Sequence, residues 1–369
     1  HLGRQIDILR TDPSTDVKIR ETATVLSVEK GLVVRIGGHI ETNPKGHYIF
    51  REIPENLRDQ PTLVTRIQTK RSGAHAFQLS YLTGGLSWKA DYVLRLDEQE
   101  QRMDLAGWVT LENRSGTSYE QAQLQLVAGN VNRVDAALRA SRRFNVLDDA
   151  RSAPRIQEES LFDYHLYTLS RPTTILDRQT KQVALLTANA VPVVKEYLLE
   201  GTPFLYQARH RDIEQKVSVG IWLRFDNKEA DNLGIPLPAG IARVYKADSR
   251  GNQQFLGEDR IHHTPRDEEV KLKLGEAFDI TATRVQTSYR KRAYGHPYSS
   301  AFESSHRIEL KNSKEEAVGV LVREPIPGDW EILEETQPHE KISAQTAQWL
   351  IRVPPRDKAV LEYRVLVQQ

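Results

Sequence analysis

The chain has 369 residues, 51 Lys and Arg against 50 Asp and Glu, 39% hydrophobic residues and no cysteine. The length exceeds one ordinary core, and the balanced charge lacks the basic excess on which nucleic-acid or acidic-membrane binding draws. The missing cysteine excludes disulfides, thiolate catalysis and Cys-based metal sites, and no apolar run reaches the roughly 18 residues of a membrane helix.

The chain opens at His1 without an initiator Met, so a processed or trimmed product is expected. From His1 to about Thr69, the runs QIDIL, ATVLSVEK, GLVVRIGG and HYIFREI are punctuated by Gly31, Gly37, Gly38 and Gly46. Short apolar runs between glycines predict a small β domain over 1–69, barrel-like or the edge of a larger sheet. Next come YLTGGLSWKADYVLRL (81–96) and LAGWVTLENRSGTSYEQAQLQLVAGNV (105–131), read as two or three strands joined by a tight turn. In QAQLQLVA, Ala122, Leu124 and Leu126 share one face, the period of a half-buried strand.

Residues 135–180 are charged and poor in large apolar groups, which predicts an exposed excursion from a β-sandwich domain spanning 70–285. Its charged Arg139, Arg142, Arg143, Asp148 and Asp149 and its sparse apolar Phe144, Val146, Leu147, Leu161 and Phe162 are expected to be ordered by packing across a domain or chain boundary. Alternation returns at Val217, Val219, Ile221, Leu223 and Phe225. Residues 286–303 read as a polar linker or hairpin loop, and 286–369 as a C-terminal Ig-like sandwich. There Trp349, Ile351 and Val353 alternate, as do Leu361, Tyr363, Val365 and Val367. The expected fold is therefore mostly β, with tandem Ig-like β-sandwich domains behind a small β-barrel-like segment and no helix beyond about four turns outside 135–180. Trp88, Trp108 and Trp330 are expected to be mostly buried.

Three passages share a plan: WVTLENRSG from Trp108, WLRFDNKEADNLG from Trp222 and RIELKNSKEEAV from Arg307. Each strand ends in an apolar-charged-Asn step before a polar turn. Asn tolerates the left-handed conformation of hairpin turns, and both an internal repeat and chance similarity are consistent with the plan.

Few residues carry chemistry. Gly84 and Gly85 precede Trp88, forming either a structural bend or a ligand groove with bare backbone and an aromatic wall. Asp163 and His165, in DYHLY, form a candidate acid–base pair that is equally a structural hydrogen bond. His262 and His263 follow Glu258 and Asp259, but neighbouring residues of a strand point to opposite faces, so they do not share an ion. A mature N-terminal His1 could chelate copper, an idea that fails where His1 is merely the start of a fragment. Tyr289, Tyr294 and Tyr298 lie along the 286–303 segment, where tyrosines supply contact area at low entropy cost. The signatures G-x-S-x-G, H-E-x-x-H and the P-loop are absent. One basic cluster, Arg139–Arg143, without interleaved aromatics gives no nucleic-acid site. NRS at 113–115 fits a glycan acceptor only in a host that glycosylates it.

The passages at 81–96 and 107–129, with ARVYKADSRGNQQFLGEDRIHHTP, KLKLGEAFDITATR, NSKEEAVGVLVREPIPGDWEIL and AVLEYRVLV, resemble the mucoidy-inhibitor-like family, a bacterial envelope-associated group built on a domain of unknown function. The resemblance covers most of the chain from Ile6 onward. It implies export to the periplasm or cell surface and a β-sandwich architecture, and it supplies no catalytic residues. The expectation is a non-enzymatic scaffold or binding module without cofactor, catalytic residue or metal. Its partner would be a protein, a second copy or a glycan. The rival is a hydrolase of envelope glycan or peptide using Asp163, His165 and His262.

Overall fold

The computed structural model describes residues 2–11, 16–28, 31–51, 62–70, 72–129, 156–161 (backbone alone), 164–206, 208–209, 215–293, 298 and 300–368. Strands dominate as expected: among the described residues, helix is confined to two short 3-10 turns, Pro203–Tyr206 and Glu229–Asp231. The chain forms two compact units, His1–Leu82 with Ser115–Thr117, and Thr83–Arg114 with Ser118–Gln369.

The first unit holds β1 (Gln5–Thr11), β2 (Lys18–Ser27), β3 (Val33–Ile36), β4 (His39–Thr42) and β5 (His47–Ile49), ordered β4-β3-β2-β1-β5. Alternation buries Ile6, Ile8, Ala23, Val25, Val34 and Ile36 in one core. The barrel-like expectation is corrected: β4 and β5 are the edges of an open sheet. Closure requires the two edges to pair, and among the described residues β4 pairs with β3 alone and β5 with β1 alone. On the other face of β1, Asp7 is wholly buried beneath Arg20, Thr22 and Arg51. These donate from Arg20 Nε at 3.0 Å, Arg51 Nε at 2.9 Å and Thr22 Oγ1 at 2.9 Å.

The second unit begins with β6 (Leu86–Leu96), β7 (Arg102–Asn113), β8 (Tyr119–Ala122) and β9 (Gln125–Ala128). It continues through β10 (Ile156–Leu161), β11 (Tyr164–Leu169), β12 (Thr173–Ile175), β13 (Thr180–Pro192), β14 (Val194–Glu200) and β15 (Gln215–Asp226). Then come β16 (Gly240–Ala247), β17 (Gln253–Ile261), β18 (Glu269–Arg292), β19 (Ala301–Asn312) and β20 (Val318–Pro325). The last four are β21 (Asp329–Glu335), β22 (Glu340–Ser343), β23 (Thr346–Val353) and β24 (Lys358–Gln368). One sheet runs β13-β7-β6-β16-β17 and another β21-β24-β19-β18-β15-β14-β20-β23-β22, with β10-β11-β9 and β12-β8 as smaller ones.

One core of this unit lies among the five-stranded sheet, β9, β11, β12 and the β15–β18 pair at Leu223, Phe225, Val270 and Leu272. The other fills the nine-stranded sheet, which rolls over so that Trp349 of β23 stacks on Tyr363 of β24 at 4.8 Å. Strands β15 and β18 pass through both cores, as Val219 and Ile280 belong to the second. Strand β18 is continuous at 285 and 286, where the sequence reading divides two domains. The 286–303 segment is mostly ladder, since β18 and β19 pair from Ile280↔Asn312 to Arg292↔Ala301.

The excursion expectation is corrected for its second half alone. Residues 130–155 lie outside the described residues, with Arg139, Arg142, Arg143, Phe144, Val146, Leu147, Asp148 and Asp149 among them. From 156 on, the chain returns as strands, and Tyr167, Leu169 and Ile175 join the first core of their own unit. Their strands are only three to six residues long, too short for alternation to stand out among charged flanks. Trp330 is buried, whereas Trp88 and Trp108 are half-buried, Trp88 leaning on the first core.

The shared Asn plan is structural. Asn113, Asn227 and Asn312 are each fully buried at or just past a strand end. Asn113 Nδ2 donates to the carbonyls of Ile175 and Leu176 at 3.2 and 3.0 Å. Asn227 Nδ2 donates to Ile235 and Pro265 at 2.7 and 2.8 Å. Asn312 Nδ2 donates to Glu316, Val353 and Pro354 at 2.7, 3.3 and 3.0 Å. The left-handed backbone expected of them is not seen: the positive-φ asparagines are Asn43 and Asn232. Each Asn instead clasps, with its side-chain amide, the carbonyls of segments that pass the strand end.

Candidate functional site

Two places in the second unit gather unusual side chains. The first is buried. In β18, β19 and β20 the inward file of apolar residues continues, in the same period, into Arg284 and Gln286, into His306 and Ser304, and into Glu324, all buried. Tyr206 from the 3-10 turn donates to Glu324 Oε2 at 2.7 Å and meets the Tyr363 hydroxyl at 2.7 Å. Arg284 pairs with Glu324 Oε1, while its Nε has no hydrogen-bond partner. Gln286 Nε2 donates to the carbonyls of Leu205 and Ala208, both at 3.2 Å, pinning the 3-10 turn to β18. His306 lies between the rings of Tyr206 and Tyr363, at 5.0 and 5.2 Å, and shares a hydrogen bond with Ser304 Oγ at 3.1 Å.

Burial pushes the Glu324 carboxyl up, against the charge of Arg284 and the Tyr206 hydrogen bond. Burial, and then the Glu324 carboxylate, raise the Tyr206 hydroxyl well above its usual range; burial leads for Tyr363 as well. For Arg284, burial pulls down and the Glu324 charge pulls up, with a raised result. Glu324 and Tyr206 are 0% exposed, so this network is closed to a substrate. It locks the 3-10 turn to β18, β20 and β24. The glycine at 201 is part of the lock, because a Cβ there would overlap the Glu324 carboxylate.

The second place is a surface. Between Ser218↔Thr281 and Gly220↔Glu276 the ladder advances two residues on β15 and five on β18. The surplus forms a bulge around Ala277, Phe278 and Asp279. Bulges re-aim side chains, and this one turns Phe278 outward at 94% exposure, the highest of the large exposed hydrophobics. The Asp279 carbonyl accepts from Ser313 N–H at 2.8 Å, which fixes the bulge against the end of β19. Beside it lies a cavity of about 290 Å³ lined by Val217, Ala277, Ile280 and Ala282, with Lys216 and Thr281 among its polar residues. The sequence signal for the bulge is faint: in EAFDITATR, Phe278, Ile280 and Ala282 keep strict alternation and Ala277 alone falls out of phase.

The residues singled out in the sequence are dispersed. Gly85 adopts φ +82° and its carbonyl accepts from Arg114 N–H at 2.6 Å at the entry to β6, while a Cβ on Gly84 would meet nothing. Tyr289 stacks on Phe302 at 5.8 Å, and burial raises its hydroxyl pKa. Tyr298 donates to Asp329 at 2.8 Å, a bond that raises its pKa. Asp163, Tyr294 and His1 lie outside the described residues. His165 stands in β11, and burial, then His165 and His262, hold the His263 imidazole below its usual pKa. His263 Nδ1 accepts from Ala239 N–H at 3.2 Å. Among the described residues, no three His, Cys, Asp or Glu are grouped to hold a metal, and no helix is long and apolar enough to cross a membrane.

Residues 77–369 match the family model described as Domain of unknown function (DUF4139). This span covers most of the chain, and the protein belongs to that family. No curated protein and no solved structure matches the chain.

Proposed function

We propose that this chain is a non-enzymatic scaffold or binding module of the bacterial envelope, of the mucoidy-inhibitor-like kind, exported to the periplasm or cell surface. One observation carries the reading: the polar and aromatic groups best suited to chemistry are closed inside the second core, while Phe278 is presented bare on an anchored bulge beside a cavity. A large aromatic held outward on a fixed backbone is an anchor for association, because its burial on binding costs little ordering entropy.

The test uses the full chain, expressed in bacteria with a photo-crosslinking phenylalanine analogue at position 278 or at exposed Arg352. Protein adducts at 278 and none at 352 support association; none at either position overturns it. The rival hydrolase reading takes Asp163, His165 and His262 as its acid–base groups. It requires His165→Ala and His262→Ala to abolish turnover of an envelope glycan or peptide.

A further inference from the structure

We infer that the bulge is half of a two-fold interface in which Phe278 of one copy enters the cavity beside the bulge of a second copy. The inference rests on the association reading above and names the partner of that surface. Its first support is shape. Knob and hole lie on the same β15–β18 irregularity, Phe278 outward and Val217, Ala277, Ile280 and Ala282 lining the cavity. A patch carrying both halves of a contact is self-complementary, and a two-fold rotation satisfies both at once and closes the assembly.

The second support is charge. Glu276 and Asp279, both exposed, flank Phe278, and Lys216, also exposed, borders the cavity. Among the described residues none of these three side chains makes an ion pair within the chain. Seating each Phe278 carries the acidic pair of one copy toward Lys216 of the other, twice per dimer. Complementary charges at the rim of an apolar contact fix register and favour the matching partner. The third support is rigidity: the Ser313 N–H bond to the Asp279 carbonyl holds the knob in place before binding.

Sedimentation equilibrium on the full chain tests this. The wild type is expected at the mass of two chains, and Phe278→Ala to weaken the dimer by roughly 1,000-fold, because the two-fold axis removes two buried aromatic anchors of about 30-fold each. Lys216→Glu should also dissociate it, and adding Glu276→Lys and Asp279→Lys in the same chain should restore it, because every cross-pair is then reversed. Unchanged tryptophan emission confirms that the variants are folded. A dimer indifferent to Phe278→Ala, or a charge reversal that does not restore, overturns the inference. A monomeric wild type that still gives adducts at 278 with other proteins overturns self-pairing and leaves association standing. A monomer without adducts overturns both.

Discussion

Asp7 and Glu324 are both 0% exposed, yet the fold moves their protons in opposite directions. Hydrogen bonds from Arg51 and then Arg20 hold Asp7 well below the usual carboxylate range, while burial pushes Glu324 up. The cations explain the difference. Arg20 and Arg51 keep about half their side chains in water, 57% and 50% exposed, so Asp7 receives two guanidinium groups that remain hydrated. Arg284 is 4% exposed and must itself be desolvated to reach Glu324. A carboxylate capped from the surface keeps its charge at little cost. One paired within a core depends on a partner that also needs compensation.

Removing Arg284 should break this contrast most severely. Arg284→Ala leaves Glu324 buried without a cation and should cost the second unit about 3–5 kcal/mol. Tryptophan fluorescence in urea reads this unit alone, since Trp88, Trp108, Trp222, Trp330 and Trp349 all belong to it. Adding Glu324→Gln should recover much of the loss. Next is Asn312→Ala, which strips a neutral donor from three carbonyls and should cost about 1–3 kcal/mol on the same assay. Gly201→Ala should cost about 1–3 kcal/mol by overpacking the Glu324 carboxylate, and less when combined with Glu324→Ala.

The smallest effects are those of pH, and their signs differ. Glu324 binds its proton more tightly folded than unfolded. Stability of the second unit should therefore fall as pH rises from about 4.3, the unfolded glutamate value, through the higher folded one. Glu324→Gln should flatten that slope. Asp7 gives the reverse: its contribution is complete above about 3.9 and is lost as pH falls toward the lower folded value. Amide exchange of β1 follows the first unit, and Asp7→Asn should remove its acid sensitivity.

Much of this architecture is legible in the sequence, because alternation is a direct record of which face is buried. Val217 to Phe225, Trp349 to Val353 and Leu361 to Val367 reach the core as their period demands. The three Asn steps are also visible, although their role as side-chain clasps needs the carbonyls that distant loops bring to them. Arg284, Ser304, His306 and Glu324 occupy the right phase for burial, but polarity hides them from any reading that equates inward with apolar. Whether a row of short strands closes is fixed by edge pairing, which no local pattern encodes; hence the open sheet where a barrel-like segment is expected. Phe278 reads as one more strand residue until its partner strand is known, since a bulge is a mismatch between two strands.

The parallel pairing of β14 with β20 has a consequence for the birth of the molecule. Tyr197 meets Val320 and Glu200 meets Arg323, so β14 waits for more than a hundred residues to be synthesised before that side of its ladder is filled. Pairings so distant in sequence close slowly, since the intervening chain must surrender its entropy first. A nascent chain stalled before residue 320 would display β14 as a bare edge, open to any passing strand. Completion of the nine-stranded sheet is therefore a late event, dependent on the C-terminal strands becoming available, and holdase chaperones have their window of action before it.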